Sequence, residues 1–284
     1  MLRRVEVHHA TTIDEAIALR VRLGEGSAIY AGGTELLLAM KLGVARWQHL
    51  IDVKPIPELR TIAQAGGVLR IGATVTHWDL ERDPTVSRLL PAFAELERNV
   101  ANVRVRAAGT LAGNIAFGEP HADPPTLLSA LGARIVLRGP AGPRTLPIGE
   151  FVTGMYQTVL APDEIVVAIE IPLPARGMRA AYVKFQILER PSVGVAIVAE
   201  LRDGRFAAPP AVVVGAVDEV PRRVDTAVLR GAEAAAAGTA DALAEAARAA
   251  VDPVADLAGD ADYKRHLVGV FARRAIEALA AQAA

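Results

Sequence analysis

Two short glycine-bearing segments, Ala31-Gly32-Gly33-Thr34-Glu35 and Gly109-Thr110-Leu111-Ala112-Gly113-Asn114, constrain this chain more than any other feature. Each puts small residues where the main chain can be approached closely, because glycine has no Cβ and tolerates positive φ. The first leads from an apolar strand into a helix, whose free N–H groups and positive dipole end favour an anion. Thr34 and Thr110 add hydroxyl donors, and the Asn114 amide both donates and accepts. Singly, either segment reads as an ordinary turn, with Asn114 as a cap. As a pair, they can hold two phosphates from opposite sides. Neither is a Walker loop, since no Gly-Lys-Ser/Thr follows, and neither has the Gly-x-Gly-x2-Gly spacing of a Rossmann turn.

Bulk properties exclude several classes. The 284 residues suggest two domains or one large one, and a 52% hydrophobic content is ample for a core. A formal net charge of −1 argues against nucleic-acid or membrane-surface partners, which need a basic field. No apolar stretch approaches the ~20 residues of a membrane span. The start, Met1 to His9, lacks an apolar signal core, so a cytoplasmic protein is expected. The absence of cysteine rules out disulfides, a cysteine nucleophile and any cysteine-ligated iron–sulfur cluster in this chain. Redox chemistry here would need a bound organic cofactor. The six histidines show no metal-ligand spacing, and adjacent His8 and His9 would face opposite sides of a strand. No metal site is expected.

Periodicity places these segments in a mixed chain. Thr12 and Glu15 are spaced as a capping box opening a helix. Ser27–Ala31 and Leu50–Val53 read as strands around a helix that starts at Glu35, a βαβ-like unit. Further strands are expected near 68–73, 133–137 and 164–171, and one helix over 89–105. Pro172 to Gly177 is the best linker. Beyond it, strands at 181–185, 193–201 and 211–216 precede helical segments at 224–229, 240–250 and 263–283. The alanine-rich 232–250 stretch reads as surface helix and loop.

Several polar residues stand near the second segment. Asp123 precedes Pro124-Pro125 and suits a helix N-cap, or an acceptor for a sugar-like hydroxyl. His121 reads as a loop histidine or a proton relay. Arg104 and Arg106 could neutralise phosphate or face solvent. Phe151 to Leu160 reads as a turn and an edge strand.

Together these segments resemble, nearly end to end, the flavoprotein (medium) subunit of molybdenum hydroxylases, the carbon monoxide dehydrogenase and xanthine dehydrogenase family. Four stretches carry the resemblance: Ala31 to Leu37 with Met40-Lys41; Gly109 to Asn114 with Asp123; Phe151 to Thr158 with Leu160 and Glu164-Ile165; and Asp262 to Leu267 with Arg273-Arg274-Ala275. It implies an α+β fold. An FAD-binding domain of the vanillyl-alcohol-oxidase (PCMH) type would occupy residues 1–175, in subdomains of about 1–56 and 57–175. A small C-terminal domain with a three-stranded sheet and helices would occupy 176–284.

It also implies FAD held by Ala31, Gly32, Gly33, Thr34 and Glu35 and by Thr110, Leu111, Ala112, Gly113 and Asn114. Asp123 would hold a cofactor hydroxyl, with Ile165 and the Glu189–Ser192 segment near the ring. No residue would need to act as a catalytic acid or base. The implied partners are a molybdopterin-binding large subunit and a small subunit with two [2Fe–2S] clusters, in a dimer of heterotrimers. This chain would pass electrons from those clusters to an external acceptor.

Departures from the family pattern are local. Ala112 stands for a glycine, Ala107-Ala108 for a more polar pair, and Glu189 to Gly194 for a segment usually rich in arginine. They point to altered flavin potential or acceptor choice. Thr34 stands where the carbon monoxide enzymes carry His, which disfavours carbon monoxide as the substrate. Two other readings of the same fold are a free-standing flavin oxidase or reductase and an FAD-free assembly subunit.

Overall fold

The computed structural model describes residues 4–282, in a mixed fold of helices and strands. The chain opens with a three-stranded parallel sheet. Its strands are β1 (Glu6–His9), β2 (Ser27–Tyr30) and β3 (His49–Asp52), in the order β1-β3-β2. Helix α1 (Ile13–Leu23) crosses from β1 to β2, and α2 (Thr34–Leu42) from β2 to β3. The expected capping box forms on one side only. Thr12 Oγ1 accepts from the Glu15 N–H at 3.1 Å, but the Glu15 carboxylate turns to the N–H and hydroxyl of Thr11.

A five-stranded antiparallel sheet follows. Its strands are β4 (Ile62–Ala65), β5 (Val68–Gly72), β6 (Arg134–Gly139), β7 (Gly142–Pro147) and β10 (Ile165–Pro172), ordered β4-β5-β10-β6-β7. Between β5 and β6 run α3 (His77–Arg82), α4 (Pro84–Leu89), α5 (Pro91–Arg98), α6 (Val103–Ala108), α7 (Leu111–Phe117) and α8 (Pro124–Ala130). The single helix expected over 89–105 is therefore broken. Pro91 cannot continue α4 and instead starts α5. Ala101 takes φ of 43°, and Asn102 then caps α6 by accepting from Arg104 and Val105. The short helix α9 (Ile148–Phe151) leads into a hairpin of β8 (Val152–Gly154) and β9 (Gln157–Thr158).

The last sheet pairs β11 (Met178–Gln186), β12 (Pro191–Arg202), β14 (Ala211–Gly215) and β15 (Arg222–Arg223), with β13 (Arg205–Phe206) beside β12. Three strands were expected, and β13 and β15 are two-residue additions. Strand β12 is buried on both faces, which explains its near-continuous apolar run. Ala196 and Val198 pack toward Phe93, Leu127 and Leu128 of the preceding helices. Val195 and Ile197 pack toward α10 (Ala237–Ala249) and α11 (Ala261–Ala281).

The alanine-rich helix lies at the surface but has one buried face. It buries Ala240, Leu243, Ala244 and Ala247 against α11, where small side chains permit close approach. The helix expected at 224–229 is a single 3-10 turn, Ala227–Leu229. Ala283, the expected end of the last helix, lies outside the described residues. Among the described residues, no helix is long and apolar enough to cross a membrane.

Candidate functional site

The two glycine segments meet. A methyl on Gly32 would overlap the Ala108 carbonyl and come 2.8 Å from the Gly109 Cα. Gly33 has φ of 71° and ends the turn as the residue before α2, whose first N–H groups have no side-chain cap. The second segment is pinned from below, since the His77 N–H donates to the Gly109 carbonyl at 3.0 Å and the Leu111 N–H to the Val75 carbonyl at 3.3 Å. Thr110 caps α7, its Oγ1 accepting from the Gly113 N–H at 3.0 Å, which leaves its O–H free to donate.

Both segments line one cavity of about 630 Å³. Ala31 to Glu35, Thr110, Ala112, Gly113, Asn114, Asp123 and Ile165 all border it. Leu111 does not, because its side chain turns into the core. Ala112 lies within α7 and has no positive φ, so its methyl strains nothing. The buried Oδ1 of Asn114 has no hydrogen-bond partner among the described residues. A buried polar atom left unpaired costs about 1–3 kcal/mol unless a partner satisfies it. Arg104 and Arg106 stay away from the cavity. Arg104 is exposed, and Arg106 Nε is held by Glu81 at 2.7 Å.

Asp123 differs from its N-cap reading. Its backbone is αR, and it makes no capping bond. Instead its carboxylate accepts from the Tyr182 hydroxyl at 2.8 Å and pairs with Lys184 Nζ at 3.0 Å, both on β11. Burial pushes the Asp123 carboxyl up, and Lys184 and Tyr182 pull it only part of the way back. Tyr182 is held well above its ordinary value by its own burial and then by Asp123. Beneath the cavity, His77 Nδ1 lies 2.6 Å from Glu97 Oε2, with both side chains buried. Burial raises the Glu97 carboxyl, and His77 opposes the rise.

A third wall comes from Glu119. It accepts from the Tyr156 hydroxyl at 2.8 Å and from Arg190 Nη1 at 2.6 Å, and its other oxygen lies 3.0 Å from His121 Nδ1. Arg190 also reaches Glu35 at 3.0 Å, so it ties the first glycine segment to the Glu119 loop. Burial pushes the Glu119 carboxyl up, but its bonds to His121 and Tyr156 and the Arg190 charge outweigh this and hold it low. His121 passes the connection on through Nε2 to Asp256 at 3.0 Å, and Asp256 pairs with buried Lys264 at 2.6 Å.

His77, Glu97, Glu119, Tyr182 and Lys184 had no local signature. Only the adjacency of Glu119 to His121 and Asp123, and of Arg190 to Ser192, could have pointed to their neighbourhoods.

The comparisons with known proteins agree with this geometry. Residues 3–174 match the FAD binding domain in molybdopterin dehydrogenase, and residues 189–279 match the CO dehydrogenase flavoprotein C-terminal domain. The chain is 36% identical to the carbon monoxide dehydrogenase medium chain of Hydrogenophaga pseudoflava, over 99% of each chain. It is 32% identical to the nicotine 6-hydroxylase medium subunit of Paenarthrobacter nicotinovorans, over 89% of each. A solved structure of the Hydrogenophaga pseudoflava carbon monoxide dehydrogenase superposes with a TM-score of 0.95 at 37% identity, over 99% of both chains. Two glycine segments on one cavity and matches along the whole chain converge: the protein belongs to the FAD-binding medium subunits of the molybdenum hydroxylases, the carbon monoxide dehydrogenase and xanthine dehydrogenase family.

Proposed function

We propose that this chain relays electrons from the [2Fe–2S] clusters of a small partner subunit to an external acceptor. A molybdopterin-binding large subunit would complete the complex, as a dimer of heterotrimers in the cytoplasm. The observation that carries this reading is the convergence of both glycine segments and the uncapped start of α2 on one cavity. FAD supplies the redox chemistry when bound, and the chain's own residues bind and orient it.

Ala31 to Glu35 and Thr110 to Asn114 would hold the pyrophosphate, with Leu111 supporting its turn from beneath. Thr34, Thr110 and Asn114 would supply side-chain hydrogen bonds. Asp123 would accept from a cofactor hydroxyl. Ile165 and the Glu189–Ser192 segment would lie near the ring. In this reading, residues 1–175 form the FAD-binding unit, with subdomains of about 1–56 and 57–175, and residues 176–284 close it.

The test uses the chain alone and in complex with its two partners, following flavin absorbance. Bleaching by the partners' substrate in the complex, with none in the isolated chain, is the expected result. Direct reduction of the isolated chain by a small substrate would replace this reading with a free-standing oxidase or reductase. A colourless chain that takes up no FAD would leave an assembly role.

A further inference from the structure

Three side chains with metal-ligating atoms converge at the start of the parallel sheet, outside the FAD cavity. Glu6 and His8 are two residues apart on β1 and so share a face. His49 opens β3 directly opposite Glu6. Their proximity is therefore a product of strand register, which sequence spacing does not reveal: His49 is 41 residues from His8.

The distances between the three are informative. His8 Nε2 lies 3.1 Å from His49 Nδ1. Glu6 Oε1 lies 3.8 Å from His8 Nε2, and Glu6 Oε2 lies 3.5 Å from His49 Nδ1. A hydrogen bond between the rings accounts for the first gap. It does not account for the other two, which are longer than the ~2.7–2.9 Å of a charge-assisted hydrogen bond. An ion held tetrahedrally by bonds of about 2.0–2.1 Å keeps its ligand atoms roughly 3.3 Å apart. The three gaps lie around that edge, with one ligand atom from each residue within 4.8 Å of the others and the carboxylate free to rotate one oxygen into place. Both imidazoles are largely shielded, and the carboxylate is an exposed arm able to adjust.

We propose that Glu6, His8 and His49 bind one divalent transition-metal ion of the zinc class, with water at the remaining position. Two imidazoles and a carboxylate are a donor set suited to zinc, nickel or copper rather than to calcium or magnesium. The ion clips the edge strand β1 to the central strand β3. It stabilises the folded chain, because only the folded register brings the three ligands together.

The test is a titration of untagged, FAD-loaded protein with Zn2+, by calorimetry and by metal content after dialysis, with thermal unfolding followed in parallel. One ion per chain and a raised Tm are expected. His8→Ala and His49→Ala should each weaken binding by at least about tenfold, the scale on which altered metal shells lose affinity. Glu6→Gln, on the exposed arm, should weaken it without disturbing the fold. His9→Ala should change nothing, since His9 faces the other way and pairs with Asp52 at 3.1 Å. Flavin absorbance reports folding of every variant independently of the metal. No saturable uptake, uptake that survives the loss of His49, or equal loss in His9→Ala would overturn the proposal.

Discussion

Gly32 and Ala108 are in main-chain contact beside the cavity, so closely that any side chain at position 32 would collide with the Ala108 carbonyl. The two glycine segments are thus one object. Displacing either displaces the other.

Gly32→Ala should therefore weaken FAD by more than about tenfold and destabilise the chain by about 1–3 kcal/mol, the usual cost of overpacking. A fluorescence titration with FAD and a thermal melt read the two effects. Gly238→Ala is the control. Position 238 lies in α10 with nothing within 4 Å of the added methyl, so that variant should be neutral or up to about 1 kcal/mol more stable.

Asn114→Ala removes the amide whose oxygen is buried and unpaired among the described residues. If FAD is its partner, affinity should fall by about 1–3 kcal/mol, or roughly five- to 160-fold, while the FAD-free protein melts no lower than before. Equal loss of stability with and without FAD would mean the amide serves the fold alone.

Asp123→Ala leaves the mostly buried Lys184 ammonium without its carboxylate, although Lys184 still donates to the Asn99 carbonyl at 2.6 Å. A loss of about 3 kcal/mol is expected, at the lower end for a broken buried pair. Asp123→Asn keeps an acceptor for Tyr182 and should cost less. Denaturant unfolding of the three proteins decides this.

Acid should loosen the Arg190 clasp. The Glu119 carboxyl is held below its ordinary value in the folded chain. Its contribution to stability is therefore fully present above the unfolded-state value, about pH 4.3. That contribution is lost as pH falls through the depressed folded value. Flavin release on acid titration should show this step, and Glu119→Gln should flatten it. An unchanged acid profile in Glu119→Gln would assign the step to other carboxylates, such as Asp256, which is also held low.

The sequence revealed the parts of the site that depend on the main chain. Glycines and capping hydroxyls act within a few residues of themselves, so Gly32-Gly33 and Thr110 were legible before any coordinates. Asp123 was found for its place beside two prolines, but its partners were not, because Tyr182 and Lys184 come from a strand about 60 residues away. The same limit hid His77–Glu97 and the Glu119–Arg190 clasp. In the fold, the apolar run of β12 was plain, since both its faces are buried. The buried face of the alanine-rich α10 was missed because alanine is as common on exposed helices as in tight helix–helix contacts. The break at Ala101 was invisible, because its positive φ has no local residue signature.

The chain of contacts from Glu119 through His121 and Asp256 to Lys264 has a consequence for biosynthesis. A nascent chain that has emerged only as far as residue 175 carries both glycine segments but lacks Lys184, Arg190, Asp256 and Lys264. Of the cavity's lining it lacks Glu189 and Arg190, and its Glu119 has no Arg190 to pair with. Full closure around a cofactor is thus expected only once the C-terminal domain has folded, and chains truncated near residue 175 should hold flavin more weakly than the whole chain.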